Sequence, residues 1–152
     1  MGNNSSRASS KSSTGTTDSK KLEEELKSTE KKICHLNYVI LKNLRWWYAW
    51  IGLHRIIELE LYCNFCGKTN IIKMHKMTDG KHISHEGENY MNGDGWYKKD
   101  YKPKNKAGIN WYQCRWAFLR ANGDYNGISN NCMNFAYEVK SRLIFSDSII
   151  FH

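Results

Sequence analysis

The sequence lacks any apolar run long enough to cross a bilayer. None of its hydrophobic stretches reaches the ~18 residues that a membrane-spanning helix needs, and the mean hydropathy is −0.70. The N-terminus also lacks the apolar core of a secretory signal, and the five cysteines are odd in number and scattered. We therefore expect a cytoplasmic chain with reduced thiols and no disulfide framework.

Acidic residues are scarce relative to basic ones: 15 Asp and Glu stand against 23 Lys and Arg, which gives a net charge of +8. This balance favours contact with anionic surfaces. The Lys98–Lys106 cluster lacks the Gly/Arg-rich or aromatic pattern of nucleic-acid modules. We expect a lipid or acylated substrate and peripheral membrane association, with no nucleic acid. We also expect no cofactor, and no pattern predicts an oligomeric state.

The chain divides into three predicted regions. Residues 1–19 are rich in Ser, Thr, Gly and Asn and predict a disordered tail, and Gly2 and Ser6 match the N-myristoylation pattern M-G-x-x-x-[ST]. Residues 20–49 follow as an N-terminal helix, because apolar side chains recur every three or four residues over 20–47. Residues 50–152 form the remaining domain, and lipidation of Gly2 would hold the chain at a membrane.

Within the third region, the pattern predicts an α+β domain. Alternating apolar residues indicate a hairpin of two strands over 54–77. Residues 78–108 predict a long irregular segment. A helix over 109–121 would end near Gly123, and a helix from about residue 131 to 145 would be capped by Ser129.

Three residues suggest a thiol enzyme. Cys132 would open the last helix, where the exposed N–H groups and the helix dipole favour a thiolate nucleophile. His54 begins the first strand of the hairpin and could act as the base, and His75 lies in the second strand and could orient it. Asn131 could position the thiol, and the backbone N–H of Cys132 could stabilise an oxyanion.

The order His54, His75, Cys132, with the segment from Asp124 to Ala136, resembles the LRAT/H-REV107-like branch of the NlpC/P60 superfamily. The PPPDE isopeptidases have a similar Asn-Cys-x-x-Phe box. The resemblance implies a permuted papain-like fold, in which a small antiparallel sheet packs on the helix that carries Cys132. It also implies acyl transfer or hydrolysis through a thioester, with Cys132 as nucleophile, His54 as base and His75 as third residue. A second register would place Trp47 at the base position and predict no catalysis.

Other interpretations stay open beside this one. An isopeptidase would use the same Cys and His residues. A non-catalytic membrane-associated adaptor would use only the tail and a binding surface. A zinc-knuckle binding module would use Cys63-x-x-Cys66 with His82 and His85, although two intervening residues are few for a histidine pair and no second Cys-x-x-Cys exists. For that reason we expect no metal.

Overall fold

A computed structural model describes residues 19–49, 54–86, 96–121 and 131–149. The described chain is α+β, with a five-stranded antiparallel sheet in the order β4-β3-β2-β1-β5 and three α-helices. The helices and strands are α1 Ser19–Lys32, β1 Val39–Ala49, β2 Arg55–Cys63, β3 Thr69–Met77, β4 Gly80–His85, β5 Trp96–Tyr101, α2 Trp111–Arg120 and α3 Cys132–Ile149, with a short 3₁₀ turn at Leu36–Tyr38 before β1. The α+β class is confirmed.

The predicted helix over 20–47 is wrong in its second half. The helix ends at Lys32, His35 adopts a left-handed conformation at φ 47°, and β1 follows at Val39–Ala49. β1 is rich in β-branched and aromatic side chains, which favour a strand once neighbours are available on both sides. It pairs with β2 and with β5, so the segment predicted as an N-terminal helix contributes a central strand of the domain.

The segment predicted to be irregular, 78–108, also contains regular structure. It holds β4, which pairs with β3, and β5, which pairs with β1. The remaining part after β5 is anchored to α3, because the carboxylate of Asp147 accepts hydrogen bonds from the backbone N–H groups of Lys104 and Asn105 and from the Tyr101 hydroxyl. The predicted hairpin and the two C-terminal helices are present, with shifted ends.

The sheet has two chemically different faces. The helix-covered face packs on α2 and α3, and its fully buried residues are Leu44, Ile57, Leu59, Ile72 and Met74. The other face, which we call the polar face, carries Arg45, Trp47, Glu58, Lys73 and His75. On the polar face, Arg45 forms ion pairs with Glu58 at 2.5 Å and with Asp100 at 2.7 Å. Because side chains alternate along a strand, adjacent residues in the sequence belong to opposite faces.

Helix α1 covers the edge strand β4. The Glu25 carboxylate accepts a hydrogen bond from the backbone N–H of Ile83 at 3.1 Å and pairs with the His82 ring at 2.9 Å. Leu26 and Ile33 bury their side chains in the core. This arrangement satisfies an otherwise exposed strand edge and places the end of α1 near the β2–β3 turn.

Several predictions concern residues outside the described ranges. The tail, its Gly2 lipidation site, the Ser129 cap and the Gly123 helix end all fall there. Among the residues that the structure describes, no helix has the length and apolar character to span a membrane.

Candidate functional site

Cys132 occupies the first turn of α3, as predicted. The helix start is organised by Asn131, whose side-chain oxygen accepts hydrogen bonds from the backbone N–H groups of Met133 and Asn134 at 2.9 and 3.1 Å. The Asn134 side chain accepts in return from the Asn131 N–H at 3.3 Å. This reciprocal pair is a capping box, and it explains the two asparagines that surround Cys132. The Cys132 side chain is largely buried.

The two candidate imidazoles lie together on the polar face. The ring centroids of His54 and His75 are 5.9 Å apart, and His75 is a cross-strand neighbour of His82, with ring centroids 5.5 Å apart. The ring of Trp96 also packs on that of His54, with ring centroids 5.5 Å apart. His54 and His75 are therefore neighbours on this face.

Helix α3, whose first turn carries Cys132, lies on the opposite side of the sheet from these two imidazoles. Helix α3 packs on the opposite, helix-covered face through Phe135, Ala136, Val139 and Leu143. The residue of β2 that faces the first turns of α3 is Arg55, which lines a small cavity with Met133 and Ala136. The physical reason is strand alternation: because Arg55 points toward α3, His54 points away from it.

Trp47, the base position of the alternative register, also lies on the polar face. Its indole N–H donates to the Glu58 carboxylate at 3.0 Å. Neither register therefore places its predicted base on the face that α3 covers.

The polar face and α1 enclose a groove of about 460 Å³, lined by Lys73, His75, His82 and residues of α1. Burial, with nearby Lys73 and His82, lowers the pKa of His75 to about 4, and its Nδ1 atom has no partner among the described residues. Burial also lowers the pKa of His54, with contributions from Lys73 and Arg55. His82 differs: burial opposes protonation, but hydrogen bonds to Asp79 and Glu25 outweigh it and raise its pKa.

A different set of thiols and imidazoles is brought together at the far end of β2. The ligand atoms of Cys34, His35, Cys63 and Cys66 all lie within 4.8 Å of one another. We call these four residues the knuckle cluster. His82 and His85, the predicted partners of Cys63 and Cys66, are not in it: His82 pairs with Glu25 and Asp79, and the His85 ring contacts the Asn70 side chain at 3.0 Å.

Sequence reasoning identified half of the knuckle cluster and missed Cys34 and His35. These two residues were missed because the predicted helix over 20–47 included both of them, so no turn was expected there that could meet the β2–β3 turn. A consecutive Cys-His pair upstream of a Cys-x-x-Cys turn was the available signal. Burial acts to raise the pKa of the Cys63 thiol, but N–H groups of Cys66 and Phe65 and the neighbouring thiols outweigh it and lower the pKa to about 6.

The third site is a surface beside the first turns of α3, which we call the aromatic–cationic face. Its residues are Trp46, Tyr48, Arg55, Lys99, Tyr137 and Lys140. The Lys140 ammonium lies 4.4 Å from the Trp46 ring centroid and 5.4 Å from that of Tyr137. The Arg55 guanidinium lies 5.4 Å from the Tyr48 ring, which stacks on Tyr97 at 5.6 Å.

Comparison of the chain with protein-family models, with curated proteins and with solved structures found no match. The geometry therefore defines the protein only as an α+β domain that carries a cluster of thiols and an imidazole at one end of β2 and an aromatic–cationic face at the other.

Proposed function

We propose that this protein is a non-catalytic peripheral membrane module, which binds anionic lipid surfaces through the aromatic–cationic face. The observation that carries the proposal is a group of cations without acidic partners. No ion pair within the described ranges involves Arg55, Lys99 or Lys140, whereas Arg45 on the polar face has two carboxylate partners. Cations that lack an internal acidic partner are available to an external anion.

The aromatic rings give this surface its second property. The rings of Trp46, Tyr48 and Tyr137 make cation–π contacts with Arg55 and Lys140 and present apolar surface beside them. Trp and Tyr side chains combine an apolar body with a polar tip, which suits the boundary between lipid headgroups and acyl chains. An anionic leaflet would therefore meet both charge and amphipathic rings on one face.

Exposed apolar side chains on α3 favour a membrane over a nucleic acid. Met133, Tyr137, Phe145 and Ile149 are all exposed and lie at multiples of four residues along the helix. Residues four apart share one side of a helix, so Met133 and Tyr137 extend the aromatic–cationic face directly, whereas Phe145 and Ile149 lie further round the helix. Nucleic acid offers no apolar phase to such side chains, but an interfacial helix buries them.

The acyl-transfer and isopeptidase hypotheses remain separate proposals, as does the permuted papain-like assignment. Each would need a base other than His54 or His75, because both rings lie on the polar face. Cys132 directly precedes Met133 in the sequence, and Met133 lines the small cavity, whose cations are Arg55 and Lys140. These cations can hold an anionic group there.

The test is a vesicle sedimentation experiment with the full chain carrying Gly2→Ala, which removes any contribution from lipidation. Vesicles of phosphatidylcholine alone are compared with vesicles that contain about one-third phosphatidylserine. Each basic residue near an anionic surface contributes about 1 kcal/mol, so Arg55→Gln with Lys140→Gln should weaken binding to the acidic vesicles roughly 30-fold. The matched control replaces two exposed lysines of α1, Lys27→Gln with Lys31→Gln, and should cause a much smaller loss.

Four results would overturn the proposal. Equal losses in the two double variants would show that only total charge matters, and equal binding to both vesicle types would show that anionic lipid is not the ligand. A monodisperse dimer that Tyr137→Ala dissociates, without vesicle binding, would reassign the face to self-association. Single-stranded RNA binding without vesicle binding would reassign it to nucleic acid.

A further inference from the structure

We propose that Cys34, His35, Cys63 and Cys66 bind one zinc ion as a structural Cys₃His site. This inference is independent of the membrane proposal and departs from the expectation of a chain without a cofactor. It also differs from the zinc-knuckle alternative, because His35 and Cys34 replace His82 and His85 as the second pair of ligands.

The size of the knuckle cluster matches a tetrahedral zinc shell. The Cys34 and Cys66 sulfurs are 3.4 Å apart, and the Cys63 sulfur lies 3.6 Å from His35 Nδ1. Zinc bonds to sulfur and nitrogen require ligand separations of about 3.8 Å between two sulfurs and about 3.6 Å between sulfur and nitrogen. Small adjustments of side chains would therefore complete the shell.

The backbone of the β2–β3 turn has the form of a metal-binding knuckle. The Cys66 N–H donates to the Cys63 sulfur at 3.4 Å, and the Gly67 N–H donates to the Cys63 carbonyl at 2.9 Å. Gly67 has a φ of 79°, a left-handed conformation that glycine adopts without strain. The turn closes with a hydrogen bond from the Cys63 N–H to the Lys68 carbonyl at 2.8 Å, so it holds both sulfurs on one side.

The other two ligands come from a strained turn after α1. His35 is the one residue other than glycine with positive φ among those described. Such strain persists only where surrounding contacts enforce it, and here the conformation brings the ring to Cys63. The ring of the exposed Phe65 packs on His35 with centroids 4.4 Å apart.

Outer contacts support the same assignment. The Asn70 amide donates to the Cys34 sulfur at 3.4 Å, and its oxygen contacts the His85 ring at 3.0 Å. Hydrogen bonds from a second layer orient metal ligands and tune their affinity. His85 therefore lies beside the site as a positioning residue, which reaches the ligand Cys34 only through Asn70.

Four protein ligands leave no position for substrate, which is the property of a structural site. A disulfide between Cys34 and Cys66 is the competing explanation for two sulfurs in contact. It would leave Cys63 and His35 unexplained, whereas zinc uses all four groups. The ion would connect the turn after α1 to the β2–β3 turn.

The first experiment measures metal in the purified full chain under reducing conditions. We expect about one equivalent of zinc, as a closed four-ligand site requires. Replacement by cobalt should give thiolate-to-metal charge-transfer absorption with an intensity that corresponds to three sulfurs. Cys66→Ser and His35→Gln should each lose zinc, and Cys66→Ser should also reduce the charge-transfer band. Asn70→Ala should weaken zinc binding roughly 10- to 100-fold.

Matched variants outside the cluster keep the test specific. Cys114→Ala removes a buried thiol in α2. His82→Gln removes one of the two histidines that the zinc-knuckle alternative paired with Cys63 and Cys66. Both variants should retain full zinc. If Cys66→Ser does not fold, the cobalt spectrum of the unaltered chain still counts the sulfurs. Three results would overturn the proposal. The first is a protein without zinc and without a cobalt charge-transfer band, and the second is a Cys34–Cys66 disulfide in the native protein. The third is a loss of metal in His82→Gln that equals the loss in His35→Gln.

Discussion

Two sets of cysteine and histidine residues in this chain have opposite outcomes. Cys132, His54 and His75 look like a catalytic set in the sequence, yet the sheet separates the thiol helix from both rings. Cys34, His35, Cys63 and Cys66 are divided between two regions of the sequence, yet their ligand atoms lie within 4.8 Å. Sequence order and residue type therefore predict a site poorly unless the register of the strands is known.

The pairing of β1 with β2 explains both outcomes. Val39 is opposite Cys63, so the turn that precedes β1 meets the turn that follows β2. At the other end of β2, Arg55 faces α3 and His54 faces away from it. A shift of one residue in β2 would exchange these two side chains, but the buried Ile57, Leu59 and Leu61 hold the register.

The largest expected effect is that of metal removal on stability. A chelator should lower the free energy of unfolding of the reduced chain by about 4 kcal/mol or more, since a ligand at a thousand times its dissociation constant contributes that amount. Urea unfolding followed by tryptophan fluorescence measures the difference. Cys114→Ala should keep the full response to chelator, and Cys66→Ser should have lost it. If chelator does not change the free energy of unfolding of the reduced, unsubstituted chain, the knuckle cluster holds no stabilising metal, and the two sets do not differ in this respect.

The second prediction concerns acid stability and the rings of the polar face. His75 has a folded pKa of about 4, below the unfolded value of about 6.5. The unfolded chain therefore binds the proton first, so stability is full above that unfolded value and falls as the pH drops toward 4. His75→Gln should therefore reduce the loss of unfolding free energy between neutral pH and about pH 5 by roughly 1 to 2 kcal/mol. This range allows for the partial exposure of the ring to solvent.

His82→Gln is the matched control for that experiment, with the opposite sign. The folded pKa of His82 is raised, so its contribution is present below the unfolded pKa and is lost as the pH rises through the folded pKa. Its replacement should make the chain more sensitive to acid. Unfolding is measured with chelator throughout, so that metal release does not contribute. A parallel response of the two variants would contradict the assigned burial of His75.

The third prediction separates capping from catalysis at Asn131. Asn131→Ala should cost about 1 kcal/mol, because the backbone N–H groups of Met133 and Asn134 lose their acceptor. Asn131→Ser should recover most of that stability, since serine also caps helices. Asn110→Ala in the capping box of α2 provides a comparison of the same size. Thermal unfolding measures the stability of all three variants. If Asn131→Ala is as stable as the unsubstituted chain, Asn131 does not cap α3.

The smallest expected effect is on thiol reactivity. Because both rings lie on the other face, His54→Ala and His75→Ala should each change the alkylation rate of Cys132 by less than about twofold, whereas removal of a general base costs about 100-fold or more. Peptide mass spectrometry after timed iodoacetamide treatment measures each thiol, with the buried Cys114 as the slow internal reference. A tenfold loss at Cys132 in His54→Ala alone would restore the predicted catalytic pair.

Local patterns predicted much of the architecture. The alternation around Ile57, Leu59 and Leu61 predicted β2, and the helical spacing of Phe135, Val139 and Leu143 predicted α3. The segment around Trp46 and Trp47 was misassigned, because its apolar spacing fits a helix and a strand equally well over a short stretch. Cross-strand partners on both sides decide that choice, and they lie elsewhere in the chain.

The same limit applies to the sites. The sequence alone determined the excess of positive charge, the Cys-x-x-Cys turn, and a thiol at the start of an amphipathic helix. The meeting of Cys34 and His35 with that turn, and of Arg55 instead of His54 with α3, follows from how the strands pair and where the helices pack. Charge and turn geometry are local properties of the chain, but the face that a strand residue occupies depends on the register of distant strands and on the side that the helices cover.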